Sequence, residues 1–144
     1  LTLTNIEDKP GVAAKIFGPL ASSGVNIDMI VQSNTETGLT NITFSCPEDD
    51  LDIAKKAISK AKKNNIISYD RLIENKNLAK VSIIGIGMKT HAGVAQKMFE
   101  TLSDENININ VISTSEIKLS VLIERKYMEL AVRSLHDAFG LQNI

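Results

Sequence analysis

Residues 11–33 read GVAAKIFGPLASSGVNIDMIVQS, and residues 93–115 read GVAQKMFETLSDENININVISTS. The two stretches align without a gap at an offset of 82, and ten of their 23 pairs are identical, Gly11/Gly93, Ala13/Ala95, Phe17/Phe99, Leu20/Leu102 and Asn26/Asn108 among them. Ile16/Met98, Val25/Ile107 and Met29/Val111 exchange one apolar side chain for another, so both copies keep one hydrophobic pattern. Beyond Ser33/Ser115 the offset falls to 77, which sets Ile42 on Leu119, Ala54 on Ala131 and Ala61 on Ala138. The second copy therefore lacks five residues of a hairpin loop. Self-similarity at a fixed long offset marks a duplicated unit. The reading is of two small domains, 1–74 and 75–144, joined near residues 74–79 (ENKNLA).

Within a copy the hydrophobic period switches. Leu1, Leu3 and Ile6 open a short strand, and Val12, Ala13, Ile16, Phe17 and Leu20 then recur at helical spacing. Pro10 and Gly11 stand where that helix begins, Asp8 is the expected cap, and Gly24 ends it. Residues 25–33 alternate as a strand, with Val25, Ile27, Met29 and Val31 on one face and Asn26, Asp28, Ile30 and Gln32 on the other. NTETG (34–38) is turn chemistry, and 39–46 is the next strand. A second helix starts after Pro47, buries Leu51, Ala54, Ile58 and Ala61, and turns Lys55, Lys56, Lys62 and Lys63 to water; residues 66–73 close the unit as a strand. The order β-α-β-β-α-β predicts an α+β fold of two tandem ferredoxin-like units, each an antiparallel sheet with helices on one face. In the second copy the same register predicts strands over 80–86, 107–113 and 117–123, helices over 92–104 and 127–139, and a closing strand beginning near residue 143.

Composition narrows the function. Sixteen Lys plus Arg against seventeen Asp plus Glu leave a net charge of −1, and six aromatic residues offer little stacking surface, so no nucleic-acid partner is expected. RNA-binding units of the same element order need aromatics on central strands, where Phe44 stands alone. No apolar run approaches the roughly 20 residues of a membrane helix, so no membrane partner is expected. The single cysteine, Cys46, fits a reducing compartment. Together with a start at Leu1 and no signal pattern, this gives an expectation of a piece of a cytoplasmic protein.

Catalytic chemistry is not expected. His91 and His136 are the only histidines and have no Cys or acidic pair at metal-ligand spacing, so no metal site follows. Gly85-x-Gly87 is followed by Thr90 where a dinucleotide fingerprint needs a third glycine. Arg71, Arg125 and Arg133 precede no helix-opening turn of the kind an acylphosphatase-like site requires. Binding chemistry is present. In both copies Gly-Val-Ala opens a helix directly after a turn, where free N–H groups suit a carboxylate. Asp8 or Asp28 can hold an ammonium, and the Gln32 amide both donates and accepts. That combination matches a zwitterionic α-amino acid; the competing reading is a helix cap and a solvated strand face.

KPGVAAKIF (9–17), NIDMIVQ (26–32), GIGMKTHAGVA (85–95) and above all VISTSEIKLSVLI (111–123) resemble the tandem ACT domains of aspartate kinase, over essentially the whole chain. Those domains regulate the enzyme that phosphorylates L-aspartate at the start of lysine, threonine and methionine synthesis. The resemblance implies an effector site formed by Asp8, Gly11, Ala13, Asn26, Asp28 and Gln32 of the first copy with Asn108, Ile109 and Ser115 of the second. It implies threonine as the usual effector, with lysine in members inhibited by both, and either the regulatory region attached to a catalytic kinase domain or the separate small regulatory subunit that some of these kinases carry; small sheets with bare edges favour a homodimer. No cofactor is expected in this chain. ATP and Mg belong to the kinase domain, whose Lys-Phe-Gly-Gly motif has no counterpart here. In the second copy Asp8, Asp28 and Gln32 become Thr90, Asn110 and Thr114, so the first copy is expected to bind ligand and the second to serve as the other wall. A non-sensing oligomerisation module of the kinase is the alternative.

Overall fold

The computed structural model describes residues 1–85 and 91–140. It divides into two compact units, Leu1–Lys76 and Asn77–Ile144. In the first, β1 (Thr2–Glu7), α1 (Val12–Ser22), β2 (Ile30–Asn34), β3 (Leu39–Phe44), α2 (Leu51–Lys63) and β4 (Leu72–Ile73) follow the expected order. The sheet is antiparallel in the order β2-β3-β1-β4. In the second unit β5 (Leu78–Ile84), α3 (His91–Asp104), β6 (Val111–Thr114), β7 (Lys118–Glu124) and α4 (Met128–Ala138) give a sheet ordered β5-β7-β6. This is the α+β pattern of two repeats that the periodicity predicts. The closing strand expected near residue 143 lies outside the described residues.

Each unit has its own core, built from matching positions. Ile16, Leu20, Ile42, Phe44, Ala54 and Ile58 are buried in the first; Met98, Leu102, Leu119, Val121, Ala131 and Leu135 take the corresponding places in the second. Phe17 meets Phe44 edge-on, with ring centroids 5.8 Å apart. These apolar faces set the sheet orientation, because a one-residue slip would turn the strand residues of the core to water.

Three local features depart from the periodic reading. Asn5 takes a left-handed backbone (φ 54°) and interrupts the β1–β3 register between Leu3 and Ile6. This bulge lets two apolar residues three apart both reach the core. Asn5 N–H donates to Asn41 Oδ1 at 3.0 Å, and the Asn5 side-chain amide donates to Asp70 Oδ2 at 3.3 Å. Opposite the bulge the strand expected over 66–73 shrinks to two residues, although Asp70 N–H still reaches the Thr4 carbonyl at 2.9 Å. Pro19 sits within α1, where its missing N–H forfeits one helical bond.

The third departure concerns the strand expected over 25–33, of which only Ile30 onward is regular. Asp28 N–H donates to the Ser45 carbonyl at 3.0 Å and Met29 N–H to the Ser45 hydroxyl at 2.9 Å, while Ser45 N–H returns to the Met29 carbonyl. The two-residue alternation resets there. Ile30, Gln32 and Asn34 lie opposite Phe44, Ile42 and Thr40, all buried, and directly opposed residues project to the same face. Gln32 thus stands on the helix-bearing side at the sheet edge, and the single polar face of Asn26, Asp28, Ile30 and Gln32 is not formed. The second unit repeats the irregularity: β6 starts at Val111 instead of 107, and Asn110 N–H donates to the Leu122 carbonyl at 2.8 Å.

At the end of the first unit Glu74 accepts from Lys55 Nζ at 2.6 Å and Lys76 Nζ at 3.3 Å. The hydrogen bond from Lys55, with Lys76 in support, holds the Glu74 carboxyl below its ordinary pKa. The fold therefore favours the charged form. Its contribution is complete above the unfolded-state pKa and fades as pH falls through the folded one. Glu74→Gln is expected to lower the urea midpoint slightly at neutral pH and to match the parent once the pH is low enough to protonate Glu74 in the folded state as well. Equal losses at both pH values would contradict this.

Candidate functional site

The β1–α1 loop carries the first group of candidate residues. Gly11 occupies the N-cap of α1 with φ 89° and ψ −11°, a left-handed conformation, and no side chain caps the helix. Asp8, expected as that cap, does not reach it. Asp8 is exposed, and its N–H instead donates to the Gly38 carbonyl at 3.2 Å, seating the loop against the β2–β3 hairpin. Val12 N–H turns back to the Lys9 carbonyl at 3.3 Å, whereas Ala13 N–H has no acceptor among the described residues. An uncapped first turn leaves donors and the positive end of the helix dipole facing outward.

A Cβ at Gly11 would meet nothing within 4 Å, so an alanine there suffers only from its backbone angle. Gly11→Ala is expected to cost about 1–2 kcal/mol of stability, the price of a left-handed L-residue. Urea denaturation checks it; an unchanged midpoint would mean that the loop relaxes freely.

Gln32 stands on a different element. It is exposed on β2, the edge strand, on the face that carries α1. Asn26 and Asp28 are exposed in the irregular segment just before β2; Asn26 N–H donates to Asp50 Oδ2 at 3.2 Å, which ties that segment to the start of α2. The first unit thus carries an open helix start, a carboxylate-bearing loop and an exposed amide on its edge strand. These are the groups needed for an α-carboxylate, an ammonium and a side-chain hydroxyl.

The ACT domain family matches the sequence twice, over residues 4–61 and 81–139. The chain belongs to the ACT domain family. It is similar to an aspartokinase of Pseudomonas aeruginosa, 50% identical over 141 residues that cover 98% of this chain and 34% of that protein. Among solved structures, the aspartokinase alpha and beta subunits match with a TM-score of 0.82 and 44% identity, over 96% of this chain and 90% of the other. The ligand-free regulatory subunit of aspartate kinase from Thermus thermophilus matches with a TM-score of 0.83 and 35% identity, over 96% and 89%. The chain spans about a third of the length of the curated relatives it matches. It is the regulatory ACT region of an aspartokinase, and the catalytic domain is not among its 144 residues.

In the second ACT unit Asn108 and Ser115 are exposed, and Ile109 is half-buried against that unit's core. Ser115 N–H donates to the Lys118 carbonyl at 2.7 Å and so forms part of the β6–β7 turn. Thr90, the counterpart of Asp8, lies outside the described residues. Cys46 is half-buried, and burial pushes its thiol pKa up, which keeps it protonated and unreactive. Among the described residues no group of three or more His, Cys, Asp or Glu side chains could hold a metal, and no helix is long and apolar enough to cross a membrane.

Sequence reasoning missed Gly38 as a partner of the β1–α1 loop. The hairpin that carries Gly38 is five residues longer than its counterpart in the second copy, a difference already visible in the sequence.

Proposed function

We propose that the first ACT unit binds a free amino acid, threonine or lysine, and thereby mediates feedback inhibition of an aspartate kinase catalytic domain. The observation that carries this is the uncapped start of α1 at left-handed Gly11, with Gln32 on the same side of the sheet edge. A carboxylate fits the exposed N–H groups of the first turn, Asp8 or Asp28 answers the ammonium, and the Gln32 amide answers a hydroxyl or a second amine. Asn108, Ile109 and Ser115 complete the site as its other wall, within one chain or across a homodimer. The protein works in the cytoplasm. ATP and Mg act in the catalytic domain, and this region uses no cofactor.

An effector shifts an equilibrium only by its differential affinity for two states, about 1–3 kcal/mol for a typical allosteric coupling. Effector binding favours a low-activity state of the kinase. Calorimetry of this chain with threonine, lysine and methionine is the test. A metabolite sensor is expected to bind at least one of them with a Kd of about 10 μM to 1 mM. No heat from any of them at millimolar concentration, in a verified dimer, would overturn the reading.

A further inference from the structure

A cleft of about 380 Å³ opens in the first ACT unit beside the start of α1, with Ile6 and Ile67 in its wall and Lys9, Lys15 and Lys62 on its lining. Glu7 also lines it, but Lys9 holds that carboxylate at 2.8 Å. Lys15 has no acidic partner among the described residues. Lys62 Nζ lies 4.2 Å from the centre of the Tyr69 ring, a contact that leaves its charge without a counter-ion. Two ammonium groups therefore share one cleft uncompensated.

The duplication shows that packing does not require this. Lys15 corresponds to Lys97 at the offset of 82, and Lys62 corresponds to Phe139 at the offset of 77. In the second unit Lys97 Nζ lies 5.0 Å from the centre of the Phe139 ring, an attractive cation–π pair. The first unit places a second cation where its sister has an aromatic ring. Like charges brought to one cavity repel unless an anion lies between them.

We infer that this cleft binds a small multivalent oxyanion, such as pyrophosphate or a phosphorylated metabolite, between Lys15 and Lys62. Two cations lining one cleft call for more than one negative charge, and the volume falls within the about 300–1,000 Å³ typical of small-molecule pockets. The inference stands apart from the amino-acid reading above, because a zwitterion needs an acid as well as a donor, and the cleft's single acid is already taken by Lys9.

The test is a two-dimensional NMR titration of the 144-residue chain with pyrophosphate at constant low ionic strength, with acetate as the monovalent comparison. Pyrophosphate is expected to give saturable shifts confined to amides around Lys15, Lys62 and residues 65–68, and acetate none. Lys62→Phe, which installs the pairing the second unit already accommodates, is expected to weaken binding at least about tenfold, as is Lys15→Gln. Any of three results would overturn the site: no saturation, unchanged affinity in both variants, or equal shifts along the outward lysines Lys56 and Lys60.

Discussion

Replacing Asp28 and Gln32 together by alanine is expected to weaken effector binding by about 10²-fold or more and to abolish feedback inhibition of the kinase that carries this region. In the proposed site each side chain would give the ligand a hydrogen bond, charge-assisted in the case of Asp28, and such bonds contribute about 1–3 kcal/mol apiece. Both residues are exposed and lie outside either core, so the fold should survive. The substitution separates a sensor from a non-sensing oligomerisation module. A sensor loses inhibition and keeps its oligomeric state, whereas a purely structural module keeps both. Inhibition assays on the full-length kinase, paired with sedimentation of the variant, read the two outcomes directly.

Phe44→Ala is expected to destabilise the first ACT unit by about 3–5 kcal/mol, a large part of the about 5–15 kcal/mol that holds a typical domain together. Phe44 is 1% exposed, packs edge-on against Phe17, and belongs to the cluster that joins the sheet to both helices. Its removal loses the transfer energy of a large ring and leaves a cavity that the surrounding side chains fill only partly. The second unit has Val121 at the same position, so Val121→Ala removes far less volume and should cost roughly half as much or less. Urea unfolding of the two variants checks the difference. Equal, small losses would mean that the first core is less tightly packed than its burial indicates.

The fold was legible because the duplication exposes the periodicity twice. Ile16, Leu20, Ala54 and Ile58 stand at helical spacing, and their partners Met98, Leu102, Ala131 and Leu135 repeat the pattern at the two fixed offsets. What stayed hidden depends on single hydrogen bonds that no period reports. The Ser45 hydroxyl takes Met29 N–H and shifts the phase of β2, which moves Gln32 from the side of Asn26 and Asp28 to the side of α1. Left-handed Asn5 bends β1, and the strand that pairs with it shortens in response. At the site, the helix-opening glycine was readable from its position before Val12, since only glycine adopts that backbone angle without cost. The place of Asp8 was not, because its N–H is drawn to Gly38 in a hairpin whose length differs between the copies. The unmatched pair Lys62/Phe139 was visible in the alignment, but it gained meaning only once the structure set Lys15 and Lys62 on one cleft.

The most direct test is a crystal structure of this chain grown with threonine, and in parallel with lysine. The amino acid should lie with its carboxylate on the first-turn N–H groups behind Gly11, within hydrogen-bond reach of Gln32, and with Asn108 or Ser115 on its far side. A ligand found elsewhere, or a helix start occupied by solvent alone at saturating effector, would contradict amino-acid sensing by the first ACT unit.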